Sequence, residues 1–341
     1  MSNWSFIKHV TDYMTRPRFG EQKAPTLWPS SATGERDGQR VGKCRRQAFF
    51  RYASDHYSFS KEYAHYKEFY EHIKSNRLPR STYTEWIFRQ GDLYEDHCIN
   101  LAKEAGIFIG TQVSVYIPKY NVSGKLDLIT INPETNKYHI VEVKSIYGFN
   151  SNSILGTDAQ QRRGSMGQPR DSHLMQLGIY QWWFANNHDD FGPGLLVYGS
   201  RDTGRYGEFY VTVEVDESDG LEYIYYQSVV PVLGQKVNTG ISIKSIMKNY
   251  HYTSKCLEER VLPPRDYDLR FSDEKISQLY EAGELSKADT AQYEKRKIQV
   301  EEGKAKLVKK VEKGDWQCRF CDYKNICYNS DAEEISIDLL N

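Results

Sequence analysis

Apolar and polar positions are most sharply ordered between Val122 and Ile146, in the stretch VSGKLDLITINPETNKYHIVEVKSI. Two runs rich in β-branched and aliphatic residues flank Asn132-Pro133-Glu134-Thr135-Asn136, a turn by composition. The pattern predicts a β-hairpin. With the turn centred near Glu134–Thr135, the ladder sets Asp127 opposite Glu142. Side chains alternate faces along a strand, so Glu142 and Lys144 share a face with Asp127 while Val141 and Val143 point the other way. Leu126, Leu128, Ile140, Val141 and Val143 make the strands apolar on both faces, as in a sheet covered on both sides. Carboxylates directly across a ladder have Cβ atoms about 5 Å apart and repel each other. A divalent cation would offset that repulsion. A lysine two residues on could orient or deprotonate a water, or steady charge building on a phosphate. The bland alternative is a solvated polar face on which Lys144 merely neutralises Glu142. The apolar neighbours weigh against it, because buried charges are costly unless paired or bound to metal.

The hairpin has helical and irregular surroundings. Residues 1–14 read as a short amphipathic helix, and Thr15–Gly42, rich in Pro, Gly, Ser and charge, as an irregular arm. Lys43–Tyr52, KCRRQAFFRY, opens a helix. Residues 60–75 form another, with Tyr63, Tyr66, Phe69 and Tyr70 as a core-packing stripe. From Thr84 to Ala105, Ile87, Tyr94, Cys98, Leu101 and Ala105 recur at helical spacing. Gly91, Glu95, Cys98 and Ala102 run beside them, which puts Glu95 at the edge of the buried face. Gly106 ends this helix, and 107–117 is a strand leading into the hairpin. Asn150–Asp171 is polar and reads as a solvated loop or a flap. A helix from about Ser172 to Asn186 places His173, Gln176 and Tyr180 on one side. A second hairpin joins Gly194–Ser200 to Tyr206–Val215. Residues 219–250 read as helical, Leu262–Arg265 as a break, Ser272–Lys313 as helices, and Ser330–Asn341 as an acidic tail.

Length and composition bound the function. At 341 residues the chain can build one large domain or two. It has no run of about 18 apolar residues and no secretory layout at its start, so a cytoplasmic protein is expected. A net charge of -1 neither suggests nor excludes nucleic acid, since binding uses local patches. Three of the 6 cysteines crowd together as Cys318-x2-Cys321-x5-Cys327, and Cys44 lies far upstream among basic residues. Cys98 and Cys256 stand alone. In a reducing compartment such a cluster points to metal rather than disulfides. Four thiolates suit a [4Fe–4S] cluster or tetrahedral zinc.

Gly124-Lys125-Leu126-Asp127, Glu142-Val143-Lys144 and Gln176-Leu177-Gly178-Ile179-Tyr180 follow one another in the order of G-x-x-D, E-x-K and Q-x-x-x-Y elements. This resembles the PD-(D/E)XK nuclease superfamily, more narrowly its RecB-like branch, over approximately residues 40 to 330. The cysteine arrangement is similar to that of CRISPR-associated Cas4 nucleases, AddB and Dna2, in which one cysteine before the nuclease core and three after it hold a [4Fe–4S] cluster. Many relatives carry histidine four residues after the glycine of the first motif. Here Glu95 stands there, and His97 falls two residues later.

The resemblance implies an α/β fold with a restriction-endonuclease-like mixed central sheet flanked by helices. Its N- and C-terminal helical parts would be joined by a four-cysteine metal centre of Cys44, Cys318, Cys321 and Cys327, holding [4Fe–4S], or Zn2+ as the alternative. The implied organisation is an arm over 1–40, the nuclease domain with its iron–sulfur module over 41–330, and a tail over 331–341. Glu95, Asp127, Glu142 and the Val143 carbonyl would hold Mg2+ or Mn2+. Lys144 would act on the water or the phosphate, and Gln176 and Tyr180 would line the groove. Read from the residues themselves, Arg45, Arg46 and Arg51 beside Cys44 form either a patch for backbone phosphates or a solvated basic face. The implied activity is a metal-dependent DNA nuclease, an exonuclease on single strands or frayed ends in recombination, repair, phage DNA processing or CRISPR adaptation. Any motor would come from a helicase or a recombination or adaptation partner, since no Walker-type motif is present. A structure-specific endonuclease and a non-catalytic binding module are the competing readings.

Overall fold

The computed structural model describes residues 26–57, 82–259, 262–304, 306 and 309–328, together with residues 7 and 10. The helix expected over 1–14, the aromatic helix over 60–75 and the acidic tail lie largely or wholly outside the described residues. Seven strands form one mixed sheet in sequence order. They are β3 (Phe108–Ile117), β4 (Val122–Ile131), β5 (Tyr138–Ile146), β6 (Gly194–Ser200), β7 (Tyr206–Val215), β8 (Glu222–Val230) and β9 (Val237–Ser242). Only β5 and β6 run parallel; every other neighbouring pair is antiparallel. A small hairpin of β1 (Thr33–Arg36) and β2 (Gln39–Gly42) stands apart.

Helices cover both faces of the large sheet. On one side lies the helix Thr82–Glu104, here α2 (α1 being Arg45–Tyr57). Its Ile99 and Ala102 pack with Leu128, Val141 and Val143, and Tyr94 and Cys98 join them. The stripe beside Glu95 therefore faces the sheet, whereas Leu101 and Ala105, expected in the buried face, are exposed. Gly106, at φ 71°, turns the chain out of the helix. The other face carries the main core, in which Ile140, Leu196, Phe209 and Ile224 meet Leu174, Leu177 and Tyr180 of the helix Asp171–Ala185 and Ile246 of the helix Ile243–Glu259.

Four expectations from sequence are corrected. Residues 219–250 are not one helix: they form β8 and β9 and then a helix from Ile243. Tyr223, Ile224, Tyr225 and Tyr226 fit a pleated surface, and pairing with β7 decides between the two periods. Thr15–Gly42 is not irregular throughout. Asp37 and Gly38 adopt consecutive positive φ values of 50° and 75°, the requirement of a two-residue hairpin turn, so the Asp-Gly pair builds β1–β2. Asn150–Asp171 is not a structureless loop, since Phe149–Leu155 and Asp158–Arg162 are short helices. The second begins with a capping box between Thr157 and Gln160. Helix from Ser272 onward ends at Glu301, after Asp273–Glu281 and Lys287–Glu301.

Candidate active site and cysteine cavity

The β4–β5 ladder runs from Ile131↔Tyr138 to Leu128↔Val141, the register expected from the sequence, and stops one step short of Asp127↔Glu142. At that step the Asp127 carboxylate takes over, its Oδ2 accepting the Val143 backbone N–H at 3.0 Å.

Glu142 is completely buried. Its Oε1 accepts hydrogen bonds from Lys144 Nζ and from Gln176 Nε2, the latter at 2.6 Å. Among the described residues its Oε2, also buried, has no hydrogen-bond partner. Burial pushes the Glu142 carboxyl up to about 8; Asp127 adds to the rise and Lys144 opposes it. For Lys144, burial alone would lower the pKa, but Glu142 and Asp127 outweigh it and hold the ammonium charged. Lys144 Nζ lies 3.9 Å from Asp127 Oδ2 and thus bridges the two carboxylates.

Glu95 approaches from α2. Burial, then the neighbouring Asp127, push its carboxyl up to about 7. Gln112 Nε2 donates to its Oε1 at 2.8 Å. Gln112 sits between the pairs Thr111↔Leu128 and Val113↔Leu126 with φ 53°, a left-handed backbone that a non-glycine residue adopts rarely. His97, by contrast, is exposed.

The helix Asp171–Ala185 (α5, after the short α3 and α4 at 149–155 and 158–162) brings Gln176 to Glu142 and Tyr180 to β4. The Tyr180 hydroxyl donates to the Lys125 carbonyl at 3.2 Å. Gly124 is required beside it, because a Cβ there would overlap that hydroxyl. Thus two strands, β4 and β5, and two helices, α2 and α5, bring Glu95, Asp127, Glu142, Val143, Lys144, Gln176 and Tyr180 to one region of the fold.

Arg45 and Arg46 do not fit the expected role in phosphate contact. Arg45 is buried, grips Asp266 through Nε and Nη2, and lies over the Tyr252 ring. Arg46 is buried, its Nε donating to the Pro263 carbonyl and its Nη1 facing Cys327 Sγ. Both guanidinium groups tie α1 to the C-terminal segment. The Arg51 guanidinium stacks on Trp28 at 3.8 Å. Sequence reading missed Gln112 and Tyr198. The latter is buried beside Lys144 on β6 and bonds His173. A tyrosine following the aliphatic run Leu195-Leu196-Val197 in a covered strand was the available signal.

Cys44, Cys318, Cys321 and Cys327 line one cavity of about 20 Å³, and none forms a disulfide. Burial pushes the Cys318 thiol up to about 11 and the Cys321 thiol up to about 12, with the neighbouring sulfurs adding to both. Phe50 packs on Tyr323 beside them at 5.5 Å between ring centroids.

Among the described residues no three His, Cys, Asp or Glu side chains stand close enough, as placed, to hold a metal ion. The donor sets nonetheless fit metals in kind. Glu142 Oε2, buried with no hydrogen-bond partner among the described residues, adds an oxygen donor to a set of hard carboxylates suited to Mg2+ or Mn2+. The four thiols suit a thiophilic centre. About 20 Å³ accommodates a single atom-sized guest, and a larger cluster would require the sulfurs to spread.

A model of the PD-(D/E)XK nuclease superfamily matches residues 35–328. The chain belongs to that superfamily, whose activity is metal-dependent hydrolysis of phosphodiester bonds, typically with Mg2+ or Mn2+. Searches of curated proteins and of solved structures return no significant match. No helix among the described residues is long and apolar enough to cross a membrane.

Proposed function

We propose that this chain is a metal-dependent deoxyribonuclease of the RecB-like branch, acting as an exonuclease on single-stranded or frayed DNA ends. The observation that carries the reading is a fully buried Glu142, one oxygen of which has no hydrogen-bond partner among the described residues, set beside Asp127 and Lys144 where the backbone pairing of β4 and β5 ends. A buried carboxylate is costly there, and a cation bound to it would offset that cost.

Glu95, Asp127, Glu142 and the Val143 carbonyl would hold Mg2+ or Mn2+. Bound there, the cation lowers the pKa of a water and neutralises charge on the phosphate. Lys144, released from bridging the carboxylates, orients the attacking water or stabilises charge on the phosphoryl oxygens. Gln176 fixes the Glu142 carboxylate, and Tyr180 fixes β4 through the Lys125 carbonyl. The remaining elements, α1 and the C-terminal segment, are clipped together by the cysteine centre. The resemblance favours [4Fe–4S] there, and tetrahedral Zn2+ is the alternative that four thiolates also suit. A helicase or another recombination or adaptation protein would supply any unwinding.

End-labelled linear DNA and covalently closed circular DNA, incubated with Mg2+ or Mn2+, test the reading. Degradation of the linear substrate alone supports an exonuclease. Cutting of the circle supports the endonuclease alternative, and no cutting with either metal leaves a binding module.

A further inference from the structure

The chain makes a closed excursion between Phe271 and Lys313, whose carbonyl accepts the Phe271 N–H at 2.7 Å. At its base Asp315 donates its backbone N–H to the Asp268 carbonyl, and a Cβ on Gly314 would overlap the Leu269 backbone. The excursion holds two helices, α7 (Asp273–Glu281) and α8 (Lys287–Glu301), α6 being Ile243–Glu259. Their residues line neither the carboxylate site nor the cysteine cavity. The Tyr280 and Tyr293 rings pack at 4.5 Å, and the Ser277 and Tyr293 hydroxyls lie 2.6 Å apart, which joins the two helices. The returning chain is tied to α8 as well, because Gln292 Nε2 donates to the Lys309 and Lys310 carbonyls at 3.1 and 3.2 Å.

These three walls enclose an open cavity of about 480 Å³. That falls within the usual size of a binding pocket, about 300–1,000 Å³. Ile276, Tyr293, Val300 and Val311 give it an apolar lining, and Val300 is 55 % exposed. Arg296, Lys297 and Lys310 also line it, together with Asp273 and Glu301. Lys310 engages Asp273 at 2.6 Å. The positive charge continues beyond the cavity: residues 295–313 contain eight lysines and arginines against three glutamates. An apolar hollow in basic surroundings suits an acidic segment that carries apolar side chains.

The chain has such a segment within reach. Ser330–Asn341, SDAEEISIDLLN, contains Asp331, Glu333, Glu334 and Asp338 and no lysine or arginine. Ile335, Ile337 and Leu339 alternate with Ser336 and Asp338, so in an extended conformation all three share one face. The Tyr328 hydroxyl accepts the Leu269 N–H at 3.1 Å, which holds the start of this segment at the base of the excursion. The path from Leu269 to Asp273 on the cavity wall is at most about 14 Å, and residues 329–335 extend to about 25 Å. Ile335 therefore reaches the cavity.

We propose that the acidic segment 331–340 docks in the α7–α8 cavity of its own chain. Ile335, Ile337 and Leu339 enter the apolar lining, and Glu333, Glu334 and Asp338 face the surrounding lysines and arginines. Docking clips the chain that follows Cys327 to the helical excursion. It uses no residue of the nuclease site.

Anisotropy of a fluorescein-labelled peptide of residues 329–341 tests this, with the full chain and a variant ending at Ser330, both purified under nitrogen. In the full chain the tethered segment competes at an effective concentration on the order of 1 mM. The peptide should therefore bind the shortened chain about 10- to 100-fold more tightly than the full chain. Val300→Asp in the shortened chain should weaken binding at least about 10-fold, as should Ile337→Asp in the peptide. Lys297→Glu should weaken it about 2- to 5-fold, the share of one exposed ion pair. Val300 and Lys297 are both exposed, so these variants keep the wild-type fold; matching melting temperatures check it. Equal affinity for the full and shortened chains would overturn docking within the chain, as would absence of peptide binding to the shortened chain. Binding indifferent to Val300→Asp would place the segment elsewhere and overturn the cavity as its site. A full chain that is dimeric by light scattering, and monomeric once shortened, would assign the cavity to a second copy's segment and overturn the proposal. The nuclease reading depends on none of these results.

Discussion

Asp127 Oδ2 accepts the backbone N–H of Val143 at 3.0 Å, so a side chain closes the β4–β5 ladder where the backbone pairing ends. The bond gives one carboxylate two tasks: satisfying the strand and facing Glu142. Asp127→Asn retains an oxygen for the N–H, so its melting temperature should stay within about 2 °C of wild type while cleavage falls at least about 1000-fold. Asp127→Ala should lose the same activity and also cost about 1–3 kcal/mol in chemical denaturation, because a buried N–H is left without its acceptor.

Lys144 is the ion-pair partner of Glu142. Removing it strands a buried carboxyl, and a cation should restore the balance. Lys144→Ala is therefore expected to melt several degrees below wild type in EDTA, with more than half the difference recovered in excess Mn2+, and to cut about 100- to 10,000-fold more slowly. Differential scanning fluorimetry with and without Mn2+ checks the first part. A deficit equal in both conditions would show that no metal reaches Glu142.

His173 gives stability a pH dependence. Its folded pKa is depressed, so below about 6.5 the unfolded chain binds a proton that the folded chain does not. Its contribution is present above about pH 6.5 and is lost as pH falls, by up to about 1.4 kcal/mol per pH unit. His173→Gln should flatten the fall in stability between about pH 6.5 and pH 5 in urea titrations. An unchanged profile would mean that the imidazole charges freely in the native state.

The cysteine cavity ties Cys44 to residues 318–327, closing a loop that spans most of the chain. Purified under nitrogen, the protein should carry about four irons per chain if the cluster reading holds, or about one zinc if the four thiolates hold tetrahedral zinc. Cys318→Ser should lose that metal and melt well below wild type, since binding energy at such a centre is folding energy. Metal-free wild type with an unaltered melting curve would leave the thiols as packing alone.

The hairpin was legible because two independent signals agreed on it: a turn of fixed composition and the apolar runs on either side, which together fix register to the residue. Glu95 was legible only as the edge of a helix face. What drew it to Asp127 was the rotation of α2 that buries Ile99 and exposes Leu101, a choice made by packing rather than by periodicity. Strands β8 and β9 were misread because tyrosines at 223, 225 and 226 suit both periods until β7 offers a pairing edge. Arg45 and Arg46 looked like phosphate ligands because charge is visible in sequence and burial is not. Asp266 and the Pro263 carbonyl, more than 200 residues away, decide their role.

Cleavage of end-labelled linear DNA in Mn2+, compared between wild type and Glu142→Gln and repeated in EDTA, tests the centre of the account most directly. Wild type should cut with metal and stop in EDTA, and Glu142→Gln, which keeps the shape but removes the charge, should fall at least about 1000-fold. Cutting that survives in Glu142→Gln, or wild-type cutting indifferent to EDTA, would contradict it.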